Sequence, residues 1–227
     1  MRTVAIACRT IEDEINAVAK ALPGSCPIRW VESGLHNFPV KLKDRIQQEI
    51  DIADGAENIL LLFGYCGNSV EGLRASRSRL VLPKVDDCIS LLLGSNKSRL
   101  EVGNEAHSYF LTDGWLRYEN NIYREYLHCV QKYGQKRALS IFRTMLANYS
   151  ALAFIDTGTY DLDDLMAKTS EFAASLNLTQ MVVPGNLSLI GKAFREEWDE
   201  DFLKVPPGVV LQINYHPIPS LIQQTSG

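Results

Sequence analysis

Four short apolar runs constrain the fold more than any other feature of the sequence. They are TVAIAC (3–8), PIRWVES (27–33), NILLLFGY (58–65) and RLVLPKV (79–85). The first three are each followed by a segment of helical character. In RTIEDEINAVAKAL, Ile11, Ile15, Val18 and Leu22 recur at helical spacing. Thr10 stands where an N-cap belongs, with Glu12 and Asp13 favouring the helix dipole. In VKLKDRIQQEIDIA the apolar positions are Leu42, Ile46 and Ile50. A third helix is expected from about Asn68, and DCISLLLGS after the fourth run reads as a short buried helix. NILLLFGY is apolar throughout, as a strand covered on both faces requires. Strand–helix alternation of this kind predicts a parallel sheet with right-handed crossovers.

The middle of the chain is helical, in NNIYREYLHCVQKYG and KRALSIFRTMLANY. Alternation then resumes with ALAFIDTG, DDLMAKTSEFAASLN, LTQMVVPG, LSLIGKAFRE and a last strand, GVVLQINY (208–215). The expected fold class is α/β, a Rossmann-like, mostly parallel sheet with helices on both faces. Residues 1–227 are read as a single domain, within which halves 1–115 and 150–227 can be joined by helical segment 116–149. The acidic stretch EEWDEDF (196–202) reads as a solvated helix start.

Bulk properties exclude several classes. With 227 residues, 46% of them hydrophobic, the chain can bury a core without disulfides. The formal net charge of −4 and the lack of a basic block argue against nucleic acid as a partner. No apolar stretch approaches the roughly 20 residues that span a bilayer, and the opening MRTVAIAC does not read as a signal peptide. A cytoplasmic protein with no membrane partner is therefore expected, its five cysteines reduced. None of the five is spaced as CxxC, so a zinc finger or ribbon is not expected.

The cysteines carry the chemistry. Cys8 ends the first strand, Cys66 follows the third and Cys88 follows the fourth, while His36 lies in the loop after the second. In a parallel sheet these positions share the carboxyl edge, where open α/β sheets bind ligands. Each of the three cysteines is expected beside a helix N-terminus, which favours thiolate. Cys8, Cys66 and Cys88, with His36, then form a donor set for zinc or an iron–sulfur cluster. His36 is a fourth ligand or a proton donor. Cys26 and Cys129 read as packing residues. A second reading is a metal-free thiol enzyme in which Cys66 is the nucleophile and His36 its base. A third is an accessory protein without chemistry of its own, so the sequence leaves open whether the chain is an enzyme.

Gly64, Gly67 and Asn68 form a loose phosphate-type turn, and Asp156, Thr157 and Gly158 form another; both are candidate sites for a small-molecule ligand. In SYFLTDGWLRY, Trp115 and Tyr118 are candidates to line a pocket. His216 has no visible partner.

The segments ACRTIEDE, GLHNFPVKL, FGYCGN, LVLPKVDDCISLLLGS through FLTDGWL, YSALAFIDTG and DEDFLKVPPG occur in this order. Together they resemble the motifs of the bacterial and archaeal family known as domain of unknown function 1638. The resemblance implies cysteines at positions 8, 66 and 88 and an LHxxP motif around His36. It also implies the company of a corrinoid protein or methyltransferase. Two departures stand out: Asp86 where the family pattern has a histidine before the Asp-Cys pair, and Asn68-Ser69 after Cys66.

Overall fold

The computed structural model describes residues 2–213 other than 25, 119 and 120. His216 and the end of the expected strand 208–215 lie outside them. The four apolar runs form β1 (Thr3–Cys8), β2 (Ile28–Val31), β3 (Asn58–Leu62) and β4 (Arg79–Pro83), all mutually parallel. Ala5 of β1 pairs with Ile28 on one side and Leu60 on the other, so β1 and β3 are central. Leu60, Leu61 and Leu62 are all fully buried, because helices cover both faces of β3. The helices α1 (Glu12–Ala21) and α2 (Pro39–Ala53) stand at the predicted places. Thr10 does not cap α1. It lies in a 3-10 turn, Arg9–Ile11, and its hydroxyl pairs with Ser33 Oγ at 2.8 Å.

After β4 come α3 (Cys88–Leu92) and α4 (Asn96–Ala106). A second parallel sheet follows, made of β5 (Ser108–Leu111), β6 (Ala151–Asp156) and β7 (Thr179–Pro184), in the order β5-β6-β7. Its helices are α5 (Asp113–Arg117), α6 (Ile122–Tyr133), α7 (Gln135–Met145) and α8 (Leu162–Ser175), while α9 (Ser188–Phe194) packs against α1 and α3 in the core of the first sheet. The period of two along β6 joins the layers. Ala153 and Ile155 belong to the core shared with the first sheet, while Leu152 and Phe154 face a second apolar cluster under α6, α7 and α8.

Three expectations give way. The helix expected from Asn68 is a turn, since Cys66, Gly67 and Asn68 have φ of 43°, 64° and 66°. Three successive left-handed residues cannot start a right-handed helix. The acidic stretch leads into β8 (Phe202–Val205), which pairs antiparallel with β4 and makes the first sheet mixed, in the order β2-β1-β3-β4-β8. Phe202, 2% exposed, anchors it. The described part of 208–215 makes one isolated bridge, Arg74 to Val210, in place of a strand.

The two sheets meet where α5 docks on the turn after β1. A methyl group on Gly114 would land on the Thr10 carbonyl oxygen, a backbone atom that cannot step aside. Gly103, inside α4, faces nothing within 4 Å. Gly114→Ala should therefore lower stability by about 1–3 kcal/mol through overpacking. Gly103→Ala should raise it by about 0.5–1 kcal/mol through helix propensity. Urea unfolding of both variants checks the pair, and equal midpoints would show that α5 does not pack as described.

Candidate active site at three strand ends

The loops after β3 and β4 run in contact beyond the sheet. Tyr65 N–H donates to Val85 O at 2.9 Å and Cys66 N–H to Asp86 O at 2.8 Å. The contact demands glycine at 64, because a side chain there would overlap the backbone of Asp87. Cys66 then turns sharply in a left-handed conformation that costs a non-glycine residue about 1–2 kcal/mol. Asp87 caps α3, its Oδ1 accepting from Ser90 N–H at 2.8 Å. Its Oδ2 accepts from Arg99 Nε at 2.9 Å. Arg99, on α4, is only 3% exposed, and its guanidinium lies 5.4 Å from the Phe110 ring of β5.

These loops bring Cys8, Cys66 and Cys88 to one cavity of about 190 Å³, which His36 also lines. Cys88, the first residue of α3, lies within interaction range of both Cys8 and Cys66. Cys8 is half-buried and the other two are buried. The Cys8 thiol also donates to Thr10 Oγ1 at 3.3 Å. Contact with Cys88, and then burial, pushes the Cys8 thiol well above its ordinary value. Contact with Cys66, reinforced by burial and opposed by Cys8, does the same to Cys88. The thiolates expected from helix N-termini are thus replaced by thiols at Cys8 and Cys88. Helix α3 has only five residues, so its dipole is weak, and desolvation outweighs it. Turns, not a helix, occupy the residues directly after Cys66. His36 sits in a 3-10 turn, Leu35–Asn37, entered through Gly34 at φ 85°. Burial lowers its pKa and leaves a neutral imidazole near pH 7. Among the described residues, no group of three or more His, Cys, Asp or Glu side chains is placed so that it could hold a metal ion as it stands.

The second sheet supplies the facing wall through Tyr109 and Phe110 of β5, Trp115 of α5 and Tyr149. Trp115 thus lines the cavity as the aromatic motif suggested. Tyr118 is held elsewhere, donating to Glu12 Oε2 at 2.6 Å. Gly64 shapes the bend, whereas Gly67 and Asn68 lie outside the cavity wall. The sequence reading missed Arg99 and Asp87. An Asp before a short helix is a legible cap, but nothing local distinguishes Arg99 from a solvated helix residue.

A comparison with protein families matches residues 30–194 to the family described as "Protein of unknown function (DUF1638)". The chain belongs to that family. The matched span holds His36, Cys66, Cys88, Arg99 and Trp115, while Cys8 precedes it. No curated protein and no solved structure matches the chain.

Asp156, Thr157 and Gly158 are placed apart from the thiols, at the end of β6 and outside the cavity wall. Gly158 N–H donates to Asp156 Oδ1 at 3.0 Å, and Thr157 Oγ1 donates to Glu14 Oε1 at 3.0 Å. Glu14, on α1, is 1% exposed. Burial raises its carboxyl above the ordinary 4.5, so the folded protein holds that proton more tightly than the unfolded chain. The stabilisation is complete below pH 4.5 and is lost as pH rises through the raised folded value. Glu14→Gln should remove this loss. The melting temperature of the variant should gain on that of the wild type between pH 4.5 and 7. Parallel profiles in calorimetry would show that Glu14 does not titrate in this way.

Proposed function

We propose that the cavity is a soft-metal centre, in which Cys8, Cys66 and Cys88 hold zinc or an iron–sulfur cluster and His36 is a fourth ligand or proton donor. The observation that carries this reading is the convergence of three thiols, from the ends of three strands, on one cavity shared with a neutral imidazole. Thiolate sulfur and imidazole nitrogen suit these metals by their donor chemistry. Cys66 and Cys88 also belong to the first apolar cluster, as Cys129 of α6 belongs to the second; what sets Cys8, Cys66 and Cys88 apart is the cavity they share, which Cys129 does not line.

Bound there, zinc would supply Lewis acidity for group transfer, and a cluster would supply electron transfer. The chain's own residues do the rest. Cys8 and Cys88 release protons on ligation, so affinity rises with pH. Asp87 and Arg99 fix the first turn of α3, which carries Cys88. Trp115 and Phe110 line the wall contributed by the second sheet and give it an apolar face. A corrinoid protein or methyltransferase as partner, and a small-molecule substrate in the cavity, belong to the same proposal. The alternative nucleophile reading loses support, since the turn after Cys66 offers no helix N-terminus to stabilise its thiolate.

Zinc, iron and acid-labile sulfide analysis, with an absorption spectrum, on protein purified without oxygen tests this reading. The expected result is about one zinc or one cluster per chain, reduced several-fold in Cys66→Ser. Metal-free protein, or metal content unchanged in that variant, would overturn it.

A further inference from the structure

We infer that the cavity takes an organic cation, an ammonium group carrying apolar substituents, against the wall that the second sheet supplies. The inference rests on the proposal above only in that the cavity holds a small molecule; it does not depend on the metal. Tyr109 and Phe110 of β5, Trp115 of α5 and Tyr149 line this wall. The rings of Tyr109 and Tyr149 stand 5.4 Å apart at 77°, so they form a corner with two faces at nearly a right angle. Tyr109, Trp115 and Tyr149 are only partly buried, which leaves ring surface for a ligand. The face of an aromatic ring is negative, and it attracts a cation most strongly when the pair is withdrawn from water. The cavity, about 190 Å³, is far larger than the roughly 10–15 Å³ that a single water needs.

The charged groups of the cavity point the same way. Among the described residues no lysine lines it, and Arg99, the arginine in its wall, is held by Asp87 at 2.9 Å. Glu32 is engaged as well, accepting from Arg45 Nε at 3.0 Å. Glu125, in the first turn of α6, also lines the cavity. It is exposed and has no ion-pair partner among the described residues. The uncompensated charge beside the aromatic wall is therefore negative. An anion would be repelled by Glu125 and by the ring faces alike. A neutral apolar molecule would fill the wall but gain nothing from the carboxylate. A cation with apolar substituents gains from both. The second sheet thus holds the ligand, and the first sheet presents its thiols across the cavity.

The test uses the full chain, as purified and again after chelation. Choline is the probe cation, and its neutral isostere, with carbon in place of nitrogen, is the control. In titration calorimetry choline should bind about tenfold more tightly than the isostere, since only the cation gains from the ring faces. The affinity should be the same with and without chelator. Glu125→Gln should weaken choline several-fold and leave the isostere unchanged; its side chain is exposed, so the fold is not at stake. Tyr109→Phe keeps the ring face and should retain binding. Tyr109→Leu should weaken choline about tenfold, with circular dichroism confirming that the variant is folded. No choline binding in the millimolar range, equal affinity for the isostere, or unchanged choline affinity in Glu125→Gln would each overturn the inference. The comparison of choline with its isostere needs no variant. Choline bound by metal-free protein would leave this inference standing while the metal reading falls, and metal found without choline binding would do the reverse.

Discussion

The seat of Gly64 on the backbone of Asp87 is the contact on which the arrangement of the thiols depends. Parallel strands bring their carboxyl ends to one edge, but adjacent strands lie nearly 5 Å apart and their loops ordinarily diverge. Here the loops after β3 and β4 stay together for two further backbone hydrogen bonds. Only a residue without Cβ allows that approach. The left-handed run from Cys66 to Asn68 then turns the chain away before a helix can form. The strain at Cys66 is sustained because the loop after β4 holds its backbone through Asp86.

Asp87 extends this constraint to the second sheet. One of its oxygens caps α3 and the other holds Arg99, whose guanidinium stacks on Phe110 of β5. A charge pair so deeply buried gains little net stability, because desolvation offsets most of its attraction. Its value is positional. One carboxylate ties α3 to α4, and Arg99 carries the link on to β5, so the thiol-bearing turn and the aromatic wall keep a fixed relation. Gly114 against Thr10 makes the corresponding contact on the β1 side.

The regular layers were legible in the sequence because they rest on short-range patterns. Unbroken apolarity marked β3, and the spacing of Leu42, Ile46 and Ile50 marked α2. The positions of Cys8, Cys66 and Cys88 at strand ends were legible for the same reason. Long-range choices were not. The sequence around Phe202 is acidic, and its strand exists because β4 offers an open edge to an antiparallel partner. The turn at Cys66–Asn68 looked like a helix start, since Asn and Gly serve caps and left-handed turns alike. Arg99 was invisible because its role comes from Asp87 and Phe110, neither of which is local to it.

The state of the thiols follows from competition between two ordinary effects. A helix N-terminus carries roughly half a positive charge and acts only over its first turn. Helix α3 is barely longer than that turn, and α1 reaches Cys8 only through a 3-10 turn. Contact with Cys88 at Cys8, contact with Cys66 at Cys88, and burial at both act in the opposite sense and prevail. The cavity therefore gathers protons as well as sulfur. A soft metal of the kind proposed would enter only by displacing those protons. It would meet thiols already desolvated in one cavity, two of them on loops that backbone hydrogen bonds hold together.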